Sequence, residues 1–217
     1  MIVNTRPSIL ANKTNELLAR SGIEFMHEPL TKILSISPSN QALEKLQQLD
    51  SYDVIIFTSQ SAAKFGAPYL QKHTSKNLNL LIMAIGLATQ RVLSAHGLVS
   101  EVPLGFNSAG LAELIEQSKH EKCLIFCGGK QPQLSFHTPV TLDTFSCYKV
   151  IDEESIELSN ITGNQKAIFL IYNIQTLEVL VRYSQPTDLD KMNLIVASPR
   201  IQEAAFNHGI KGCVVAE

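Results

Sequence analysis

The stretch from Asp53 to Gly66 constrains the fold of this chain more than any other. It opens with the apolar run 54–57, which is too short for a helix and rich in β-branched residues, so it predicts a buried strand. Hydroxyl side chains follow, and apolar residues then recur at the spacing of one helix face. The order of strand, polar turn and helix is typical of a parallel α/β sheet, where ligands bind at the carboxyl ends of the strands.

The polar turn offers three hydroxyls, those of Thr58, Ser59 and Ser61. A helix that begins there presents unpaired N–H groups and a partial positive charge, and both favour an anionic ligand. The same side chains are equally typical of helix caps that bind no ligand. The residues of this turn leave both interpretations open.

The same pattern recurs along the chain. Apolar runs followed by a turn and a helical segment start near residues 80, 167 and 194. The order strand, helix, strand, helix, strand therefore occurs twice, with Leu98 and Val99 expected to start the last strand of the first copy. This repeat predicts an α/β protein made of two similar parallel-sheet domains of the flavodoxin-like type, although a generic α/β chain can also produce a repeat this loose.

Two extended segments indicate how the domains are connected. Residues 30–36 alternate in polarity and are flanked by prolines, so they are predicted to connect two domains and not to form a core strand. Residues 144–151 alternate in the same way and are predicted to pair with residues 30–36 as the return connection. Domain 1 would then comprise residues 1–34 plus 150–217, with domain 2, residues 35–149, inserted into it. We expect a ligand-binding cleft between two such domains.

Composition excludes several classes of function. The net charge is −2 and no basic patch is present, which argues against a nucleic-acid partner. No apolar run approaches the roughly 20 residues that span a bilayer, and the first residues lack the order of a signal peptide. The four cysteines and six histidines show no metal-ligand spacing. We therefore expect a cytoplasmic protein with buried free thiols, no metal ion and no membrane partner. We also expect a monomer.

A glycine pair forms a further candidate anion site. Gly128 and Gly129 follow a predicted strand and allow close approach of the backbone to a ligand, and Lys130 would supply a positive charge. The turn lacks the remaining residues of a nucleotide-binding P-loop, so a nucleotide enzyme is the least favoured class.

The whole arrangement resembles the uroporphyrinogen-III synthase family. Its short motifs match in order and spacing over nearly the whole chain, at Val3–Pro7, Ile56–Ala62, Ala84–Thr89, Ser108–Ile115 and Tyr148. Departures from the family pattern are the shortened segment after Lys130, the turn Ser198-Pro199-Arg200 in place of a second Gly-x-x-Thr turn, Asn173 where serine is common, and the end of the chain at Glu217 where a helix often follows.

The resemblance implies a cofactor-free cyclising lyase of tetrapyrrole (haem) biosynthesis. The family's substrate is hydroxymethylbilane, a linear tetrapyrrole with eight carboxylates. The enzyme promotes loss of its terminal hydroxyl, inverts the last pyrrole through a spiro intermediate and closes the ring to uroporphyrinogen III. Two domains would fold the substrate so that its ends meet.

The resemblance also implies roles for individual residues. Tyr148 would donate a proton to the leaving hydroxyl, the alternative being a linker aromatic packed against domain 1. Thr89 is also explained as a cap, and Arg6 as a plain surface arginine. For Arg200, at the start of a helix, the absence of a functional role is the favoured explanation. The candidate substrate-binding residues are Arg6, Thr58, Ser59, Ser61, Gly86, Thr89, Ser108, Gly128, Gly129, Lys130, Asn173, Ser198 and Arg200.

Two other functions are compatible with the same pattern. A two-domain α/β chain with a cleft is also typical of an intracellular module that binds a small ligand without turnover. The altered turn at Ser198 would also suit a relative of the synthases that has lost activity.

Overall fold

The computed structural model of the chain describes residues 1–74, 80–103, 108–129, 137, 139–154, 156, 158 and 167–216, without the side chains of residues 108 and 109. These residues form two compact units, Met1–Ile33 with Ile151–Glu217 and Leu34–Val150. The strands are β1 (Ile2–Asn4), β2 (Phe25–His27), β3 (Thr31–Ser35), β4 (Val54–Phe57), β5 (Leu81–Ala84), β6 (Lys122–Gly128), β7 (Thr141–Asp152), β8 (Ile168–Ile171), β9 (Asn193–Val196) and β10 (Gly212–Val215). The helices are α1 (Ser8–Arg20), α2 (Asn40–Gln47), α3 (Gln60–His73), α4 (Leu87–Ala95), α5 (Ser108–Gln117), α6 (Ile174–Tyr183) and α7 (Pro199–Asn207).

The first unit is built on a five-stranded parallel sheet. Its strand order is β10-β9-β8-β1-β2, and every neighbouring pair runs parallel. One face packs against α6 and α7, where Phe169 and Leu194 of the sheet meet Leu177, Leu180 and Ala205 in a single buried cluster. Burial of these apolar side chains on one sheet face is the main contribution to the stability of this unit.

The second unit holds most of another five-stranded sheet, of order β3-β7-β6-β4-β5, whose strands β3 and β7 continue past the unit's boundaries at residues 34 and 150. Its strands β5, β4, β6 and β7 are parallel neighbours. Strand β3 lies beside β7, and the bonds from Ile36 N to Cys147 O and from Glu153 N to Leu30 O follow an antiparallel register. The predicted fold class, α/β with two parallel-dominated sheets, is confirmed.

Two details differ from the sequence prediction. The segment 144–151 pairs with residues 30–36 as predicted, but it belongs to the longer strand β7, which also pairs with β6 and buries Phe145 and Cys147 completely. Its alternating pattern is that of a half-buried strand, which explains the difference. At Leu98 and Val99 no strand forms, and the nearest pairing is an isolated bridge of Met83 with Glu101. Val99 is 89% exposed, so no neighbouring side chain packs against it to stabilise an extended strand there.

Helix ends in both units follow the sequence signals. His96 and His208 are the C-cap residues of α4 and α7, and the glycines after them, Gly97 and Gly209, have φ values of 72° and 84°. This left-handed conformation is one that glycine adopts without steric cost. The histidines are thereby explained as helix-terminal residues.

The described residues contain neither a helix that could span a membrane nor a cluster of side chains that could hold a metal ion. None of their helices combines the length and the apolar character needed to cross a bilayer. In the same part of the chain, no cluster of three or more His, Cys, Asp or Glu side chains is arranged to hold a metal ion.

Candidate active site

The carboxyl edge of the second unit's sheet gathers three of the predicted motifs. Strands β4, β5 and β6 are parallel neighbours in register, with Phe57 opposite Ala84 and Phe126. The turns that follow them therefore emerge at the same edge of the sheet. Polar groups separated by tens of residues in sequence are thereby brought together.

Ser59 and Tyr148 form the most specific contact at this edge. Their hydroxyl oxygens lie 3.0 Å apart, across 89 residues of sequence. Ser59 is also the N-cap of α3, and its Oγ accepts a hydrogen bond from the backbone N–H of Ala62 at 3.0 Å. The capping interaction fixes the serine, and the serine in turn contacts the phenol.

A β-bulge directs Tyr148 towards this serine. Cys127 of β6 pairs with Ser146 of β7, whereas the next residue, Gly128, pairs with Tyr148, so Cys147 is an extra residue on β7. In a regular strand Cys147 and Tyr148 would point to opposite faces. Here both pack against the apolar cluster that includes α3, which is the kind of re-orientation that bulges produce.

The phenol ring is enclosed from two further sides. A Cβ atom at Gly128 would lie 2.9 Å from Tyr148 Cζ, so the ring lies directly against the glycine backbone. The ring of Phe65 on α3 lies 6.4 Å from that of Tyr148, centroid to centroid. Gly128 therefore has a steric role beneath the ring, which differs from the ligand contact that its sequence position predicts.

Burial is the largest influence on the pKa of Tyr148 and raises it above the ordinary value of 10. The hydrogen bond with Ser59 acts in the opposite direction and lowers this pKa, while Cys147 and Cys127 raise it. Because the net shift is upward, the phenol is protonated at neutral pH. It therefore carries a proton that it can donate.

The other predicted residues of this unit lie in different environments. Thr58 is half-buried, and its Oγ1 donates to the carbonyl of Phe126 at 3.1 Å. Ser61 and Thr89 are each only 3% exposed. Gly86 precedes α4, and its carbonyl accepts from the N–H of Thr89 at 3.0 Å. The buried hydroxyls of Ser61 and Thr89 thus have little surface available to a ligand.

Three further predicted residues complete this group. Gly129 is exposed, and a Cβ atom there would meet nothing within 4 Å. The backbone of Ser108 begins α5, but its side chain lies outside the described residues, as does all of Lys130. The structure thus leaves the predicted contacts of Ser108 and Lys130 open.

The carboxyl edge of the first unit presents a positive charge. The guanidinium carbon of Arg6 lies 4.8 Å from the centre of the Tyr172 ring, in a cation–π contact. The backbone of Arg6 is held by Asn4 Oδ1, which accepts from its N–H at 3.2 Å, and by His27, whose Nε2 lies 2.8 Å from its carbonyl oxygen. These contacts fix the base of the arginine side chain.

The remaining predicted residues of the first unit lie at helix N-termini. Asn173 caps α6, with its Oδ1 accepting from the N–H and the hydroxyl of Thr176 at 2.8 and 3.1 Å. Ser198 holds the N-cap position of α7, but its side chain makes no capping hydrogen bond. Arg200, in the first turn of α7, is exposed. Asn173 is thus accounted for as a cap, and Ser198 is not.

Sequence reasoning missed three residues that shape these edges. Asn4 is completely buried and also accepts from the hydroxyl of Tyr172 at 3.2 Å, and Phe65 borders Tyr148. Asn4 carried a usable signal, because a polar residue that ends a buried strand at the ligand edge needs partners. Tyr172 and Phe65 carried none, since aromatic residues at such positions are ordinary core residues.

The chain was compared with known proteins. The family model described as "Uroporphyrinogen-III synthase HemD" matches residues 12–217. No curated protein sequence matched significantly. Two similar structures are a mutant uroporphyrinogen III synthase of Thermus thermophilus, with a TM-score of 0.63, and a uroporphyrinogen-III synthetase of Helicobacter pylori, with a TM-score of 0.62. Each is 13% identical, and each alignment covers 100% of this chain and 92% of that structure.

The structural likeness, at 13% identity, establishes the fold of the chain. The family match establishes its relationship, because it extends over nearly all of the sequence. The chain belongs to the uroporphyrinogen-III synthase family, and the predicted family is thereby confirmed.

Proposed function

We propose that this chain is a uroporphyrinogen-III synthase, which cyclises hydroxymethylbilane with inversion of the last pyrrole ring and loss of water. Membership of the family supports the reaction. The single observation in the structure that carries the proposal is the protonated, half-buried phenol of Tyr148. It lies against the N-terminus of α3 at the carboxyl edge of a parallel sheet. A reaction that expels a hydroxyl group requires such a proton donor.

Tyr148 is the catalytic residue of this proposal. Its phenol donates a proton to the terminal hydroxyl of the substrate as the carbon–oxygen bond breaks, so that water leaves instead of hydroxide. The contacts of Tyr148 with Ser59, Gly128 and Phe65 support this role, because they hold the ring in place without an ion pair. No metal ion or cofactor is needed for this step.

Recognition of a substrate with eight carboxylates needs anion-binding groups. The N–H groups at the starts of α3, α4, α6 and α7 supply partial positive charge at the carboxyl edges of the two sheets. Arg6 supplies a formal charge, and a guanidinium binds a carboxylate through two parallel hydrogen bonds. Arg6 and the exposed or half-buried turn residues are therefore the first substrate contacts to test, namely Thr58, Gly86, Gly129, Asn173, Ser198 and Arg200.

Further properties belong to the same proposal. We assign domain 1 to residues 1–34 plus 150–217 and domain 2 to residues 35–149, and we expect a monomer in the cytoplasm. The four cysteines are buried and unpaired, which suits a reducing compartment. Burial raises the pKa of Cys123 to about 11 and that of Cys147 to about 12, so both thiols are unreactive at neutral pH.

The alternatives lose support once the family is established. A module that binds a ligand without turnover does not require a buried proton donor at the carboxyl edge of its sheet. The unusual turn at Ser198 still favours a test of the second alternative, a relative of the synthases that has lost activity.

The test is a coupled assay with freshly formed hydroxymethylbilane, supplied with and without the folded protein. The products are oxidised and separated as isomers I and III, because spontaneous ring closure yields isomer I. We expect a protein-dependent shift to isomer III. Isomer I alone, from protein whose fold is verified by circular dichroism, would contradict the proposal and favour the inactive relative.

A further inference from the structure

In the hydrogen bond between Ser59 and Tyr148, the proposed chemistry determines which hydroxyl is the donor. The two hydroxyl oxygens are 3.0 Å apart, and either one can be the donor. Ser59 Oγ already accepts from the N–H of Ala62, which leaves it one hydrogen to donate and one further lone pair. If Tyr148 donated to Ser59, its proton would point away from any substrate.

We propose that Ser59 is a positioning residue that donates its hydroxyl hydrogen to Tyr148 Oη, so that the phenolic hydrogen points outwards and the developing phenolate is stabilised. This inference rests on the proposed function of Tyr148 as proton donor. It gives Ser59 a role through the tyrosine, which differs from the direct contact with substrate that the sequence predicts.

The proton balance of the step is complete with these groups alone. The carbon–oxygen bond of the terminal hydroxymethyl group breaks, its electron pair goes to oxygen, and the Tyr148 proton converts that oxygen to water. The methylene carbon is left as a cation delocalised onto its pyrrole nitrogen. After the last ring has inverted, the pyrrole carbon that closes the macrocycle forms a carbon–carbon bond to this methylene carbon with its own π electrons. The phenolate left behind accepts the Ser59 hydrogen bond. It recovers a proton from the pyrrole carbon at which the macrocycle closes, so the enzyme returns to its initial state.

The position of Ser59 favours this role for electrostatic reasons. It caps α3, a helix of 14 residues, and a helix N-terminus stabilises a negative charge close to it. Because Tyr148 Oη is within hydrogen-bond distance of the capping side chain, the phenolate would lie in that field. The same contact lowers the pKa of the phenol against the upward effect of burial.

The surrounding residues restrict the position of the Tyr148 ring and so keep its hydroxyl close to Ser59. Gly128 lies under the ring, with its Cβ position 2.9 Å from Cζ and 3.2 Å from the phenolic oxygen. The bulge at Cys147 fixes the approach of the strand. Ser59 is held in extended backbone geometry, and its carbonyl accepts from Ala63 N at 3.0 Å. Both partners are thus fixed before substrate binds.

The experiment compares two capping serines. Ser59→Ala removes the cap of α3 and the phenol contact together, whereas Ser39→Ala removes only the cap of α2, in which Ser39 Oγ accepts from Ala42 N at 3.2 Å. Ser59→Thr keeps a hydroxyl. Ser59→Gly, which preserves most of the capping tendency without a hydroxyl, is the second variant in case the alanine form does not fold.

The first readout is the ionisation of Tyr148, followed by ¹⁹F NMR in protein labelled with 3-fluorotyrosine. The Tyr148 signal is assigned by its absence in Tyr148→Phe. We expect Ser59→Ala and Ser59→Gly to raise the pKa of this phenol, Ser59→Thr to restore it, and Ser39→Ala to leave it unchanged. An unchanged pKa in both variants without the hydroxyl would overturn the proposal.

The second readout is steady-state kinetics of isomer III formation. We expect Ser59→Ala to lower kcat about tenfold with KM nearly constant, because one hydrogen bond to the transition state is lost. A rise in KM at constant kcat would instead indicate direct substrate contact and overturn the positioning role. If the wild-type protein forms no isomer III, the proposed function fails, whereas the NMR titration still reports on the Ser59 contact.

Discussion

The carboxyl edges of the two sheets differ in the chemistry that they present. In the second unit the central group is a neutral phenol, held by the N-cap serine of α3 and by the backbone of Gly128. In the first unit it is a guanidinium, stacked on Tyr172, with its backbone held by Asn4. Similar parallel sheets therefore present a protonated phenol at one edge and a positive charge at the other.

The two edges differ through local departures from the repeated fold. The second unit contains a bulge in β7 that brings Tyr148 onto the α3 face. The pairings described for the first unit's sheet run without a shift, and its edge is organised by the buried side chain of Asn4. If this division is functional, variants of the second edge should affect kcat, and variants of the first edge should affect KM.

The largest expected effect is that of Tyr148→Phe. Loss of the proton donor should lower kcat by about 10²- to 10⁴-fold, while the free energy of unfolding falls by only about 1 kcal/mol, the worth of one hydrogen bond. Steady-state kinetics and urea denaturation measure the two effects. Tyr183→Phe is the matched control, because Tyr183 ends α6 and is 43% exposed. Full activity of Tyr148→Phe would remove this residue from the mechanism.

The next largest effect should come from Gly128→Ala. The added methyl group would lie 2.9 Å from Tyr148 Cζ and must displace the ring from Ser59. We expect kcat to fall about a hundredfold, the cost of misplacing a catalytic group by about 1 Å. Gly129→Ala is the neighbouring control for the ring position, since its Cβ has open space. An unshifted Tyr148 ¹⁹F signal in Gly128→Ala would contradict this packing argument.

Arg6→Gln tests the other edge. Removing the guanidinium should raise KM about tenfold, the contribution of one charge-assisted hydrogen-bonded pair, with a smaller change in kcat. Arg20→Gln is the control, because Arg20 is highly exposed and its guanidinium lies 3.7 Å from the carboxylate of Glu16, four residues before it. A large loss of kcat at constant KM in Arg6→Gln would show that the two edges do not divide the chemistry as proposed.

The smallest expected effects are those of the two caps of the first unit. Asn173→Ala should lower the free energy of unfolding by about 1 kcal/mol, because its side chain caps α6. Ser198→Ala should change it by less than about 0.5 kcal/mol, because the serine makes no capping bond. Urea denaturation measures both. Equal losses in the two variants would mean that Ser198 also stabilises its helix.

The sequence was sufficient for the fold class because short apolar runs and turn residues report directly on buried strands. The strand at residues 54–57 and the helix after it lie where the pattern predicts them. The pairing of residues 144–151 with 30–36 was predicted, whereas the pairing of β7 with β6 was missed, since an alternating run is equally typical of an edge strand or a linker. Whether such a run pairs depends on residues far away in the chain.

The site was predictable only in part, and for similar reasons. Ser59 and Tyr148 were both candidates from the family motifs, but their mutual contact depends on one extra residue in the register of β7. No local sequence pattern marks that residue, because Cys147 is an ordinary buried side chain. Ser61 and Thr89 are buried, whereas other hydroxyl-bearing turn residues are accessible to a ligand. The sequence alone does not distinguish the two groups, because their side chains are chemically alike.

Single-turnover kinetics test the division between the two edges most directly. Enzyme in excess is mixed with hydroxymethylbilane, and the rate of isomer III formation is measured against enzyme concentration for the wild type, Tyr148→Phe and Arg6→Gln. We expect Tyr148→Phe to lower the maximal rate at unchanged half-saturation, and Arg6→Gln to shift half-saturation at a nearly unchanged maximal rate. The opposite pattern, or equal effects of both variants on the maximal rate, would contradict the account.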